Sequence, residues 1–415
     1  MQLKNKKIAG LLSLATCSLL GNNAQAADNP WDIDTAVLLY SETDRVSAIE
    51  PVITASKDLG DDEIITGKLV LDALTGSSAN GAVPSTSLQT FTSPSGQGTY
   101  TAAANETPLD DTFRDTRASF SLNWDKPTDR NNRRNLGFNL SGEHDFISLG
   151  GNALWQHDMN QKNTTLTGGI SVELDEIKPV GGTPEGLSDM RTRNRVSSSE
   201  TRELVDLLFG VTQIIDSSSL FQVNYSVSVA NGYMTDPYKF VSVVDGTTGE
   251  PDHYLYEHRP DSRTRQSVYG KYKKQLDNHD IITASYRFMT DDWGVNSHTA
   301  DLTYRFKMDG GFFIQPHIRL YQQSAADFYH YFLVNGAATP EFASADYRLG
   351  DLTTTTLGVK FGKTIDDKHV WSARLEMYNQ SGDSSPSEAV GQLVNQDLFP
   401  DVNVVIAQVN YSFKF

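Results

Sequence analysis

The chain ends Val402-Asn403-Val404-Val405-Ile406-Ala407-Gln408-Val409-Asn410-Tyr411-Ser412-Phe413-Lys414-Phe415, alternating apolar and polar residues up to a final aromatic ring. Successive side chains of an extended strand point to opposite faces. Val405, Ala407, Val409, Tyr411, Phe413 and Phe415 therefore share one face, and Gln408, Asn410, Ser412 and Lys414 share the other. The same period recurs upstream. Leu166, Gly168, Ile170, Val172 and Leu174 interleave with polar residues, as do Phe221 to Val229 and Ala300 to Met308. Such alternation marks strands with one apolar and one polar face. No segment carries a helical apolar stripe of comparable length.

Working outward, the pattern predicts strands near 31–42, 46–56, 64–75, 116–125, 134–144, 146–158, 164–176 and 202–214. Eight more are expected near 219–231, 265–276, 280–291, 297–308, 311–323, 352–364, 368–380 and 402–415. Connections after odd strands include the long segments 76–115, 177–201, 232–264, 324–351 and 381–401. Those after even strands are turns such as Asp216-Ser217-Ser218-Ser219, Asp277-Asn278-His279, Asp309-Gly310-Gly311 and Asp366-Asp367-Lys368. A soluble sandwich has no reason to sort its loops by parity. An all-β, single transmembrane antiparallel up-and-down barrel of about 16 strands does, with short periplasmic turns and long extracellular loops. The terminal strand then resembles the assembly signal of outer-membrane proteins, with Tyr411, Phe413 and Phe415 as its aromatic elements. It should zip against 31–42 to remove the sheet's edges.

The N-terminus agrees. Lys4, Lys6 and Lys7 precede an apolar run from Ile8 to Leu20, and Ala24-Gln25-Ala26 supplies a small-x-small cleavage pattern. The expected organisation is a signal peptide over 1–26 and a barrel over 27–415. The only cysteine, Cys17, lies inside the apolar run, and Leu14-Ala15-Thr16-Cys17 only faintly resembles a lipoprotein site. The mature part then has no thiol for disulfides or metal ligation. The formal charge is −17, and such an acidic surface argues against nucleic acid, whose phosphates need clustered Lys and Arg.

On the apolar faces, Trp31, Trp124, Trp155, Tyr225, Tyr272, Trp371, Tyr411 and Phe413 suit aromatic girdles at the lipid boundary. Taking the polar faces as lumenal, Lys271, Arg287, Arg305, Lys307, His317, Arg319, Lys360 and Arg374 line one side. Asp32, Asp34, Asp72, Glu143, Asp158, Glu173 and Asp175 line the other. Opposed walls would set a transverse field across a water-filled pore. The plainer alternative is that these charges hydrate the interior or pair with one another.

Local candidates for chemistry are few. Asp291-Asp292-Trp293 with His298 could serve an outer-membrane hydrolase, yet Ser297 and His298 are adjacent and point to opposite faces. Asp252, His253, Glu257 and His258 could bind a divalent metal, but a solvated loop is the simpler reading. Asp236-Pro237 and Arg259-Pro260 suggest fixed turns. Segment 76–115, rich in Ser, Thr, Gly and Ala, suggests flexibility or a constriction folded into the lumen.

Several motifs together resemble a bacterial outer-membrane barrel family known as domain of unknown function 3570. They are Trp31-Asp32-Ile33-Asp34, Asp236-Pro237-Tyr238-Lys239, Arg259-Pro260-Asp261, Asp291-Asp292-Trp293-Gly294, Ser324 to Tyr329 and Asp346-Tyr347-Arg348-Leu349. The resemblance implies a barrel and carries over no catalytic residue or cofactor. The expectation is a passive porin-like channel or solute-uptake pore with no enzymatic role. Its expected partners are outer-membrane lipid, the barrel-assembly machinery and a small polar solute, with a homo-oligomer as a further option. The alternatives are a closed barrel that binds partners through its long loops, and an outer-membrane hydrolase.

Overall fold

A computed structural model describes residues 30–92 and 98–415. The expected signal peptide, with Ala24, Ala26 and Cys17, lies outside the described residues. Sixteen antiparallel strands form one closed barrel in sequence order. They are β1 (Trp31–Glu42), β2 (Ser47–Gly60), β3 (Glu63–Ala79), β4 (Leu109–Pro127), β5 (Asn132–Gly142), β6 (Phe146–Met159), β7 (Thr164–Ile177) and β8 (Glu200–Asp216). The second half comprises β9 (Ser219–Gly232), β10 (Ser262–Gln275), β11 (Ile281–Asp291), β12 (Asn296–Lys307), β13 (Phe312–Gln323), β14 (Leu352–Thr364), β15 (His369–Gly382) and β16 (Val402–Lys414). All sixteen expected strands are present. The barrel closes where β16 pairs with β1 from Asp32↔Lys414 to Glu42↔Val404. Trp31 and Phe415 exchange both backbone hydrogen bonds, at 2.8 and 3.1 Å, so the sheet has no free edge for lipid to leave unsatisfied.

The outer face is a band of exposed apolar side chains, among them Leu69, Phe120, Leu140, Val172, Phe209, Val223, Leu320, Leu357 and Val409. At the turn end of the barrel a girdle forms, with Phe361 against Phe312 and Trp371, and Tyr411 stacked on Phe413 at 5.6 Å. Lysines reach over it: Lys57 onto Trp31, Lys126 onto Trp124 and Lys363 onto Phe312. An apolar stem with a charged tip suits the headgroup region.

The hydrophobic core of this protein is in its loops. The connections 80–108, 178–199, 233–261, 324–351 and 383–401 leave the same end of the barrel and fold together into a cap. Its hub is the hairpin Phe240–Val244 with Pro251–Tyr256, to which Leu333–Val334 adds a parallel strand. Phe240 and Tyr256 pack with Phe91 and Tyr100. Val244 packs with Val83, Phe332, Leu393 and Leu398, and Val241 with Ala343 and Ala345. The backbone of the third loop is thus sheet-like and buried, which corrects the expectation of a solvated loop there. In the described parts of segment 80–108, Gln89–Thr92 pairs with Thr99–Ala102, and none of these described residues lines the main lumenal cavity. The reason is the alternation Gln89, Phe91 and Tyr100, Ala102, which gives this polar segment one buried face.

Candidate functional site

The period-two alternation turns the polar face of every strand to the interior, which holds cavities lined by charged and polar side chains. A cavity of about 870 Å³ is lined by Arg287, Asp301, His317, Arg319, Arg374 and Glu376, with Tyr321 and Tyr378 above them. A second of about 370 Å³ shares Arg287 with it and reaches Asp206 and Arg265. Toward the turns, about 300 Å³ more is lined by Gln315, Lys360, Gln408 and Asn410 as well as the same His317 group. Below that, Arg305 lies over the ring of Phe313 at 3.6 Å, an apolar residue on the lumenal face and only 4% exposed. On the loop side, about 530 Å³ forms a vestibule between Asp115, Glu143, Asp145, Asp236 and Arg348.

His317 is the centre of the middle group. Its Nε2 lies 2.9 Å from Asp301 and its Nδ1 2.8 Å from Glu376. Arg319 also reaches Asp301 at 2.9 Å, and Arg374 lies 3.5 Å from Glu376 while donating to Gln408. Among the described residues, no carboxylate lies within ion-pair distance of Arg287, Arg305 or Lys360. The acidic side is mixed as well. Asp72 pairs with Arg117 at 2.5 Å and Asp175 with Arg202 at 2.6 Å. Asp158 accepts from Thr165, and Asp32 pairs with Lys414. The opposed walls expected from parity therefore need correction, because each wall carries counter-charges supplied by neighbouring strands. Glu143 also moves: β5 ends at Gly142, so Glu143 sits in the turn at the rim. Burial, then its contact with Asp115, pushes the Glu143 carboxyl up to about 7. Lys271, Lys307, Asp34, Asp158 and Glu173 belong to the interior face but line none of these cavities.

Directly above the lumen, the loop motifs meet in a buried ionic knot. Arg259 lies 2.6 Å from Glu257 and 2.8 Å from Asp346. Arg348 grips Asp346 at 2.5 Å and reaches Asp236 at 3.2 Å. Ser344 and the backbone N–H of Asp236 donate to Glu257. Burial opposes ionisation of Asp346, but the charges of Arg348, Lys239 and Arg259 outweigh it and hold this carboxyl well below the usual range. Burial raises Glu257. This corrects the metal reading. Glu257 is committed to the knot, and His258 is bonded to the carbonyl of Glu341 and packed on Phe342. Among the described residues, no group of three or more such side chains is disposed to hold a metal.

Arg348 is the residue that the strand pattern misses. It lines both the vestibule and the main cavity, and its side chain is 67% accessible although Asp346 beneath it is 4% accessible. The only sequence signal is its place in Asp346-Tyr347-Arg348-Leu349, where a short 3₁₀ turn lets Asp346 accept from the Arg348 backbone N–H. The Asp291-Asp292-Trp293 motif is a turn: Asp291 accepts from the backbone N–H groups of Trp293 and Val295 and pairs with Arg263. His298 lies on the outer face, 2.5 Å from the hydroxyl of Tyr286, while Ser297 faces inward.

A closed sheet with an outward apolar band, a polar and charged interior and loops gathered at one end defines a membrane-spanning barrel of the outer-membrane kind. The chain belongs to the family described as protein of unknown function (DUF3570), whose model matches residues 9–413. No curated protein matches the sequence. Among solved structures, a bacterial polysaccharide outer membrane secretin is 9% identical with a TM-score of 0.44, covering 94% of this chain and all of that one. The CymD monoaromatic hydrocarbon channel is 7% identical with a TM-score of 0.42, covering 94% and 89% of the two chains. OccK2 of Pseudomonas aeruginosa is 8% identical with a TM-score of 0.40, covering 94% and 98%.

Proposed function

We propose that the protein is an outer-membrane uptake pore for small polar solutes. The observation that carries this reading is the succession of polar-lined cavities down the barrel, from the rim vestibule past Arg348 to Lys360. Such a route would be wasted in a barrel that served only as an anchor. A closed interior could have been filled with apolar or self-paired side chains at lower desolvation cost. Instead Arg287 and Lys360 line the cavities with no carboxylate partner among the described residues, which favours anions in transit.

The test is single-channel recording of the purified barrel in a planar bilayer. Discrete conductance steps are expected, with a reversal potential that shifts toward cations when Arg305, Arg319 and Arg374 are neutralised together. A silent bilayer would favour the second reading, in which the packed cap itself is a binding surface and the lumen is closed.

A further inference from the structure

Two chambers of opposite character meet at one accessible arginine. In the vestibule, Asp115, Glu143, Asp145 and Asp236 outnumber Arg114 and Arg348, and Arg348 is already committed to Asp346 and Asp236. Deeper on the same side, Asp72 is only 5% exposed. One of its oxygens takes Arg117, and Oδ1 is sealed from solvent. The acceptors open to a group rich in N–H are the carboxylates that line the vestibule. Across the lumen the surplus reverses. Arg287 and Lys360 stand without carboxylates among the described residues, and Arg319, Arg374 and His317 share only Asp301 and Glu376.

A solute of one sign fits half of this route. An anion meets the acidic vestibule first, and a cation that fills the vestibule is repelled by the chamber below. A group bearing both signs finds one complement in the acidic vestibule and the other in the cationic chamber below it. Arg348 spends Nε and Nη2 on Asp346 and Asp236, which leaves Nη1 of an accessible guanidinium to meet a carboxylate.

We propose that the solute is amphoteric, a small molecule carrying an ammonium or guanidinium group together with a carboxylate. Its cationic end is taken by the acidic wall and its anionic end by Arg348 and the basic chamber. This rests on the pore reading and names its substrate class. The burial of Glu143, whose carboxyl is pushed up to about 7 beside Asp115, agrees with a wall that lacks counter-charge until one arrives.

The experiment is liposome swelling with the full barrel and four solutes: arabinose, triglycine, N-acetyl-triglycine and triglycine amide. Relative to arabinose, triglycine should enter faster than either singly charged analogue by about threefold or more. Arg348→Gln should slow triglycine and N-acetyl-triglycine together. The pair Asp115→Asn with Glu143→Gln should erase the advantage of triglycine over N-acetyl-triglycine. Equal rates for the three peptides, with arabinose entering normally, would overturn the substrate class and leave the pore standing. Ratios that stay unmoved in the variants would overturn it in the same way. No swelling with any solute would overturn both.

Discussion

Arg259 is surrounded by more negative charge than any single guanidinium can satisfy, and its worth lies in what it leaves behind when removed. Arg259→Ala would strand Glu257, which is wholly buried, together with one face of Asp346. Removing one partner of a buried pair costs about 3–5 kcal/mol. The loss should fall on the cap and not on the barrel. Protease access at 233–261 and 324–351 should rise while the heat-modifiable band of the folded barrel persists, and unchanged protection would refute this role. The knot also sets a pH response. The folded pKa of Asp346 lies below its usual 3.8, so its stabilisation is present above that value and is lost as the pH falls through the folded one. The cap should stay shut as the pH is lowered past the ordinary carboxylate range and loosen only in stronger acid, as read by hydrogen exchange. Glu143 behaves oppositely. Its pKa is raised from 4.5 to about 7, so the stability it contributes is present below 4.5 and disappears as the pH rises through about 7. Cation preference in bilayer recordings should grow across that window, and Glu143→Gln should flatten the step.

At the scale of elements, the strands are legible because their signal is local. Period two needs only neighbours in sequence, and lipid on one side with water on the other enforces it over residues such as Phe221 to Val229. Strand ends are less so. The expected segment 116–125 begins earlier, at Leu109, because Leu109 to Arg114 pair with Thr75 to Ala79 beyond the reach of the bilayer, where alternation is not required. Charge partners escape reading for a related cause: whether Asp72 meets Arg117 depends on inter-strand register, and register is not written in either strand alone. Two changes test the elements themselves. Deleting Phe415 removes both hydrogen bonds to Trp31 and an exposed ring, so the yield of folded barrel should drop while the unit conductance of survivors stays the same. Normal barrel levels would contradict this. Gly294 turns the β11–β12 hairpin at φ +84, and a Cβ there would collide with Asp327. Gly294→Ala should therefore destabilise this turn and its contact with 324–351, detectable as local loss of amide protection.

For the whole molecule, the cap is the illegible part. Its contacts join segments that no periodicity links, such as Gln392 donating to the carbonyl of Pro84, 308 residues away. Composition suggests polar, flexible loops, and their short buried stretches, Phe240 to Val244 above all, are too brief to be told from ordinary strand fragments. Replacing 236–258 with a short turn would remove the hub of the cap and leave the sixteen-strand ladder intact. The expected result is a barrel that still folds and conducts with larger steps. Failure to assemble would mean that the loops help to build the barrel.

That hub also imposes an order of events. Its partners 83, 190, 335 and 392 come from four separate loops, and they become neighbours only after nearly all the strands have taken their places. Closing such long chain segments is slow compared with forming a hairpin. The cap should therefore mature last, on the far side of the membrane, in a kinetic phase that follows barrel closure and is slowed by Arg259→Ala without any change in the rate of insertion. A newly inserted molecule would pass through an interval in which its mouth stands open.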